Sequence, residues 1–124
     1  PLDKPVPMIA TRDIARVAAE LLTDTWDGLR IVELEGPRRV SPNDLAQAFT
    51  SATGRKVVPV AVPRDTWETT FAAQGMRYPM PRARMIDGFN EEWIAFEGPS
   101  TQVRKGTTPV QTVVDALVAS AKQA

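Results

Sequence analysis

Eight large aromatic or thioether side chains fall within 27 residues: Trp67, Phe71, Met76, Tyr78, Met80, Met85, Phe89 and Trp93. Small-ligand sites are mostly apolar and thioethers adapt to irregular shapes, so this group could line a lid over a flat substrate. Trp67, Phe71, Met76, Tyr78, Met80, Met85 and Phe89 are therefore candidate substrate-binding residues. The competing reading is a stripe that packs two helices onto a sheet. Met76, Tyr78 and Met80 escape that reading best, because they fall in a loop and loops carry function more often than stripes do. Arg77, Arg82 and Arg84 flank the same loop. Their planar forks could meet a phosphate or carboxylate, with solvated surface arginines as the alternative.

Other charged candidates are weaker. Glu91 and Glu92 are adjacent, and neighbouring helical residues do not face each other, so they make no carboxylate pair. Arg38-Arg39 is too short a basic run for nucleic acid, which demands several phosphate contacts. Asp13 reads as a helix-start charge or as part of a domain junction.

Histidine and cysteine are both absent from the 124 residues. That removes the usual general base near neutral pH, the commonest metal ligand, any disulfide and any thiol nucleophile. Proton chemistry would fall to Asp, Glu, Lys or the single tyrosine, Tyr78. Fifteen basic residues balance fifteen acidic ones, which argues against nucleic acid or an acidic membrane as partner. With 43% apolar and 24% charged residues, no run long enough to span a bilayer and no visible signal peptide, a soluble cytoplasmic domain is expected.

The elements that must position these residues follow from periodicity and punctuation. Pro7 to Ala10 reads as a short buried strand after a proline-rich lead-in. Thr11 caps a first helix whose face is Ile14, Val17, Ala18, Leu21 and Leu22. Asp27-Gly28 breaks the chain, and Leu29 to Glu35 reads as a strand covered on both sides. Ser41 caps a second helix with Pro42 at its first position, a capping-box partner in Asp44, a buried face of Leu45, Ala48, Phe49 and Ala52, and a stop at Gly54. Val57 to Val62 is a strand held to an edge or bulge by Pro59. Asp65 to Gln74 is a third helix, Arg77 to Pro81 a proline-locked loop, and Arg82 to Phe96 a fourth helix that Gly88 could kink. Gly98 to Gly106 is a polar loop, and a last helix begins with a full capping box from Thr108 to Gln111. The fold class expected is α+β: about five helices packed on two or three short strands, in one domain.

Several of these pieces, in order, carry a resemblance. They are Ala10-Thr11-Arg12-Asp13-Ile14-Ala15, Glu33-Leu34-Glu35-Gly36-Pro37, Ser41-Pro42-Asn43-Asp44-Leu45-Ala46, Thr53-Gly54-Arg55-Lys56-Val57 and Gly106-Thr107-Thr108-Pro109. Together they resemble the C-terminal, substrate-side portion of NmrA-like proteins in the atypical short-chain dehydrogenase/reductase group. The resemblance implies a nicotinamide-binding domain upstream, missing here, and a small mixed subdomain that lids the substrate. It implies hydride transfer from NAD(P) to a small, flat, apolar carbonyl or quinone-like molecule in the parent, although some relatives are sensors or regulators.

This chain departs from the family's chemistry. Dinucleotide binding needs two or three glycines within about six residues, whereas no two glycines here are closer than eight. A Tyr-x-x-x-Lys pair would need lysine at position 82, which is Arg82. No catalytic, cofactor-binding or metal-binding residue is therefore carried over, and the isolated chain is expected to be inactive. A face separated from its partner domain would be apolar and exposed, so self-association is expected. The alternative is a stand-alone module that holds a small ligand or a protein partner.

Overall fold

Ser41 starts the helix with the fullest set of local signals. In the computed structural model, which describes residues 1–99 and 102–123, its hydroxyl accepts the Asp44 N–H at 3.2 Å. The Asp44 carboxylate in turn accepts the Ser41 N–H at 2.8 Å, completing the reciprocal box. Pro42 sits at the first position, and Gly54 ends the helix in the left-handed conformation at φ 68°. This helix, Pro42–Thr53, is α2. It follows α1 (Thr11–Leu22) and the short strand β1 (Leu34–Glu35). A 3-10 turn at Arg64–Thr66 then leads into α3 (Trp67–Ala73), and α4 (Pro79–Asn90), β2 (Arg104–Lys105) and α5 (Val110–Gln123) complete the order.

The chain is α+β, as expected. Five helices accompany one two-stranded parallel sheet among the described residues, with Leu34 opposite Arg104 and Glu35 opposite Lys105. α2 packs on α5, and α3 packs on α4. The buried apolar residues are small: Val17, Val40, Ala46, Ala48, Ala83, Val103 and Val114. No described helix is long and apolar enough to cross a membrane.

Two expected strands fail for one reason. A β-branched run becomes a strand only when a neighbour pairs its N–H and C=O groups. Of Leu29 to Glu35, Leu34 and Glu35 form a strand and the Glu33 carbonyl accepts the Arg104 N–H at 2.9 Å, while Leu29 and Ile31 lie 90% and 68% exposed instead of covered. Val57 to Val62 pairs with no strand among the described residues, leaving Val58 and Val60 61% and 78% exposed. The strand expected at Pro7 to Ala10 is also absent. Val6 forms an isolated antiparallel bridge with Val40, and the Met8 carbonyl accepts the Gly36 N–H at 2.7 Å.

Other boundaries shift. Ala10, rather than Thr11, is the N-cap of α1, and no side chain caps that helix. Of its expected apolar face, Val17 is buried while Ile14, Ala18 and Leu22 are exposed. The proline-locked loop ends at Tyr78, because Pro79 tolerates the first turn of α4 and starts it. α4 stops at Asn90, short of Trp93 and Phe96. The loop expected from Gly98 to Gly106 contains β2, and its Ser100 and Thr101 lie outside the described residues. The capping-box pair at the last helix is engaged elsewhere. The Thr108 hydroxyl donates to Asp13 at 3.1 Å, and the Gln111 amide donates to the Ala48 carbonyl at 3.1 Å.

Candidate functional site

The end of α4 builds the main cleft. Glu91 closes the helix, its N–H donating to the Asp87 carbonyl at 2.8 Å. Glu92 then adopts φ 66°, a left-handed conformation that turns the chain back. The Ile94 N–H donates to the Gly88 carbonyl at 3.1 Å, and the Ile94 side chain occupies the space that a Cβ on Gly88 would need. Glycine at position 88 thus lets the returning chain lay Ile94 and Phe96 near Phe89. The opposite wall is the lead-in, held by the Val6–Val40 bridge and by Lys4, whose Nζ donates to the Asn90 carbonyl at 2.6 Å.

Between these walls lies a cleft of about 550 Å³, within the range of small-molecule sites. Phe89, Phe96, Leu34, Ile94, Val6 and two prolines supply its apolar lining. Lys4, Arg39 and Glu92 supply its charge, and the Lys4 ammonium pairs with Glu92 at 3.0 Å.

Arg39 is held from behind. Its Nε donates to the Glu35 carboxylate at 3.2 Å, and its guanidinium carbon lies 5.9 Å from the centroid of the Phe96 ring. Glu35 is 6% exposed and also pairs with Lys105 of β2. Burial alone would push the Glu35 carboxyl up, but the hydrogen bonds from Lys105 and Arg39 outweigh it and hold the group below its ordinary range. The carboxylate therefore stays charged and keeps Arg39 in place.

No protein family, curated protein or solved structure matched the chain in comparison.

A second cleft of about 460 Å³ lies between residues 8–10, Pro37, Val40 and the start of α5. It is more apolar, and its one cation, Arg38, is paired with Asp44 at 3.2 Å. No group of three acidic, histidine or cysteine side chains able to hold a metal occurs among the described residues.

Of the seven candidate residues, Phe89 lines the main cleft, and the other six line neither cleft. They lie on the α3–α4 hairpin and its connection. The Trp67 indole N–H donates to the Val62 carbonyl at 2.8 Å, and Arg64 lies 4.9 Å from the Trp67 ring. Arg82 lies 4.7 Å from the Phe71 ring, and Arg77 lies 5.3 Å from that of Tyr78. Cation–π contacts thus engage two of the arginines expected to flank a ligand loop. Met76 is half-buried, while Tyr78, Met80 and Met85 are exposed.

The rest of the cleft lining was not among the candidates, Arg39 and Phe96 included. Arg39 reads in sequence as one of two surface arginines, and Phe96 as the end of a helical face. Their site roles depend on the burial of Glu35 and on the chain reversal after α4, neither of which leaves a local pattern.

Proposed function

We propose that this chain is the substrate-side portion of an NmrA-like reductase or redox sensor. The cofactor NAD(P) would be held by a separate upstream domain, in the cytoplasm. What supports the reading, beside the ordered resemblance of sequence pieces, is the exposure of two strand-type segments. Leu29 and Ile31 in the first, and Val58 and Val60 in the second, face solvent at 61% to 90% exposure. Runs of this composition fit a surface covered by a neighbouring sheet or domain.

The residues of this chain do not fit a dinucleotide. Its glycines are too widely spaced for a backbone approach to pyrophosphate. Its own part is therefore to wall and close over a flat apolar substrate, with Phe89 in the cleft and the α3–α4 hairpin beside it. The test is the intact mass and N-terminal sequence of the polypeptide in its source cells. A mass about twice 13.6 kDa or more, with a glycine-rich strand–helix unit before Pro1, supports the proposal. A mass near 13.6 kDa overturns it.

A second reading is a stand-alone small-ligand module. The observation favouring it is the cleft itself, about 550 Å³ with an apolar lining and a few charged groups, as small-ligand sites have.

A further inference from the structure

We propose that the main cleft binds a small, flat, apolar molecule bearing one anionic group, with Arg39 as the partner of that anion. This deepens the reading of Phe89 as a ligand contact, and it holds for either the reductase part or the stand-alone module.

Lys4, Arg39 and Lys105 contribute three positive charges at the cleft and directly behind it, against two negative ones from Glu92 and Glu35. One positive charge is left unbalanced. Lys4 is matched by Glu92, and the buried Glu35 is shared by Lys105 and Arg39, so the surplus lies on that pair, of which Arg39 lines the cleft.

Geometry supports the same assignment. Glu35 takes only the Nε of Arg39. The two terminal nitrogens make no hydrogen bond or ion pair among the described residues, and the side chain is 52% exposed. A guanidinium anchored through Nε over a ring presents its remaining fork at low entropic cost, in the arrangement that meets a carboxylate or sulfonate bidentately. The apolar body of the ligand would lie against Phe89 and Phe96, which favour a planar partner. In the second cleft Arg38 is already matched by Asp44, so that cleft lacks the anion partner.

The test uses two fluorescent probes of one shape: anilinonaphthalene sulfonate, an anion, and phenylnaphthylamine, its neutral counterpart. Binding to the 124-residue chain is titrated for the unmodified protein and for Arg39→Gln, Arg39→Lys and Arg38→Gln. The expected result is one saturable site that prefers the anion. Arg39→Gln should weaken the anion by roughly tenfold, as loss of a charge-assisted bond does, and leave the neutral probe unchanged. Arg39→Lys, which keeps the charge but loses the fork, should fall between, and Arg38→Gln should change neither. Equal binding of both probes by the unmodified chain would overturn the proposal without any variant. So would several unsaturable sites, or an anion affinity that follows Arg38 instead of Arg39. The native-mass experiment moves independently of these titrations, so failure of one reading is not failure of the other.

Discussion

The buried Asp13 carboxylate of α1 accepts the backbone N–H of Thr108 at 2.9 Å. It also accepts the Thr107 N–H at 3.0 Å and the Thr108 hydroxyl at 3.1 Å. One side chain therefore ties the first helix to the entry of the last. It satisfies backbone groups that would otherwise be left without partners. The sequence offers Asp13 as a helix-start charge or as part of a domain junction; it lies in the first turn of α1, and its carboxylate is taken up by Thr107 and Thr108.

These bonds, the Thr108 N–H first among them, hold the Asp13 carboxyl below its ordinary value of 3.8. A depressed carboxyl contributes stability above its unfolded value and loses it as pH falls through the folded one. Acidification below 3.8 should therefore lower the melting temperature of the unmodified chain. Asp13→Asn should melt lower at neutral pH, and the gap between the two should narrow in acid. Circular-dichroism melts at stepped pH check this, and a gap independent of pH would refute it.

Gly88→Ala should cost roughly 1–3 kcal/mol, because the new methyl meets the Ile94 side chain inside a packed turn. Ile94→Ala in the same molecule should recover part of the loss. Urea unfolding of the two single variants and the double variant measures that coupling. Strict additivity would mean that the two residues do not share the space.

Ser41→Ala removes a cap whose hydroxyl serves the Asp44 N–H and donates to the Asp44 carboxylate at 2.7 Å. A loss of about 1 kcal/mol is expected, with the denaturant slope unchanged. A neutral result would show that the box adds nothing to the prolyl start of α2.

Leu29→Lys and Val60→Lys should each change stability by less than about 0.5 kcal/mol, because both side chains face solvent. The unmodified chain should self-associate through these apolar segments, and the paired substitutions should shift it towards monomer. Light scattering across a concentration series decides this. A monomer at every concentration would remove the self-association argument.

What was legible in the sequence was local. Ser41, Pro42, Asp44 and Gly54 specify α2 from the segment 41–54 alone, and no distant contact is needed to read them. Trp67 and Phe71 similarly announce α3. The runs at Leu29 and Val57 misled because a strand is a relation between two segments, and their composition does not reveal whether a partner exists. The cleft was half legible. Phe89 stood out by type and spacing, whereas Arg39 owes its position to Glu35 beneath it and to Phe96 brought round by the left-handed turn at Glu92.

The pairing of Leu34 with Arg104, and of α2 with α5, also sets an order of events during synthesis. The partners of the first half of the chain are encoded in its last quarter. At usual translation speeds, α1 and α2 would leave the ribosome on the order of 5–10 s before the segments that complete their packing. During that interval the nascent chain offers helices without a closed core, a natural substrate for holding chaperones. Any truncation that removes α5 would leave it in that state permanently.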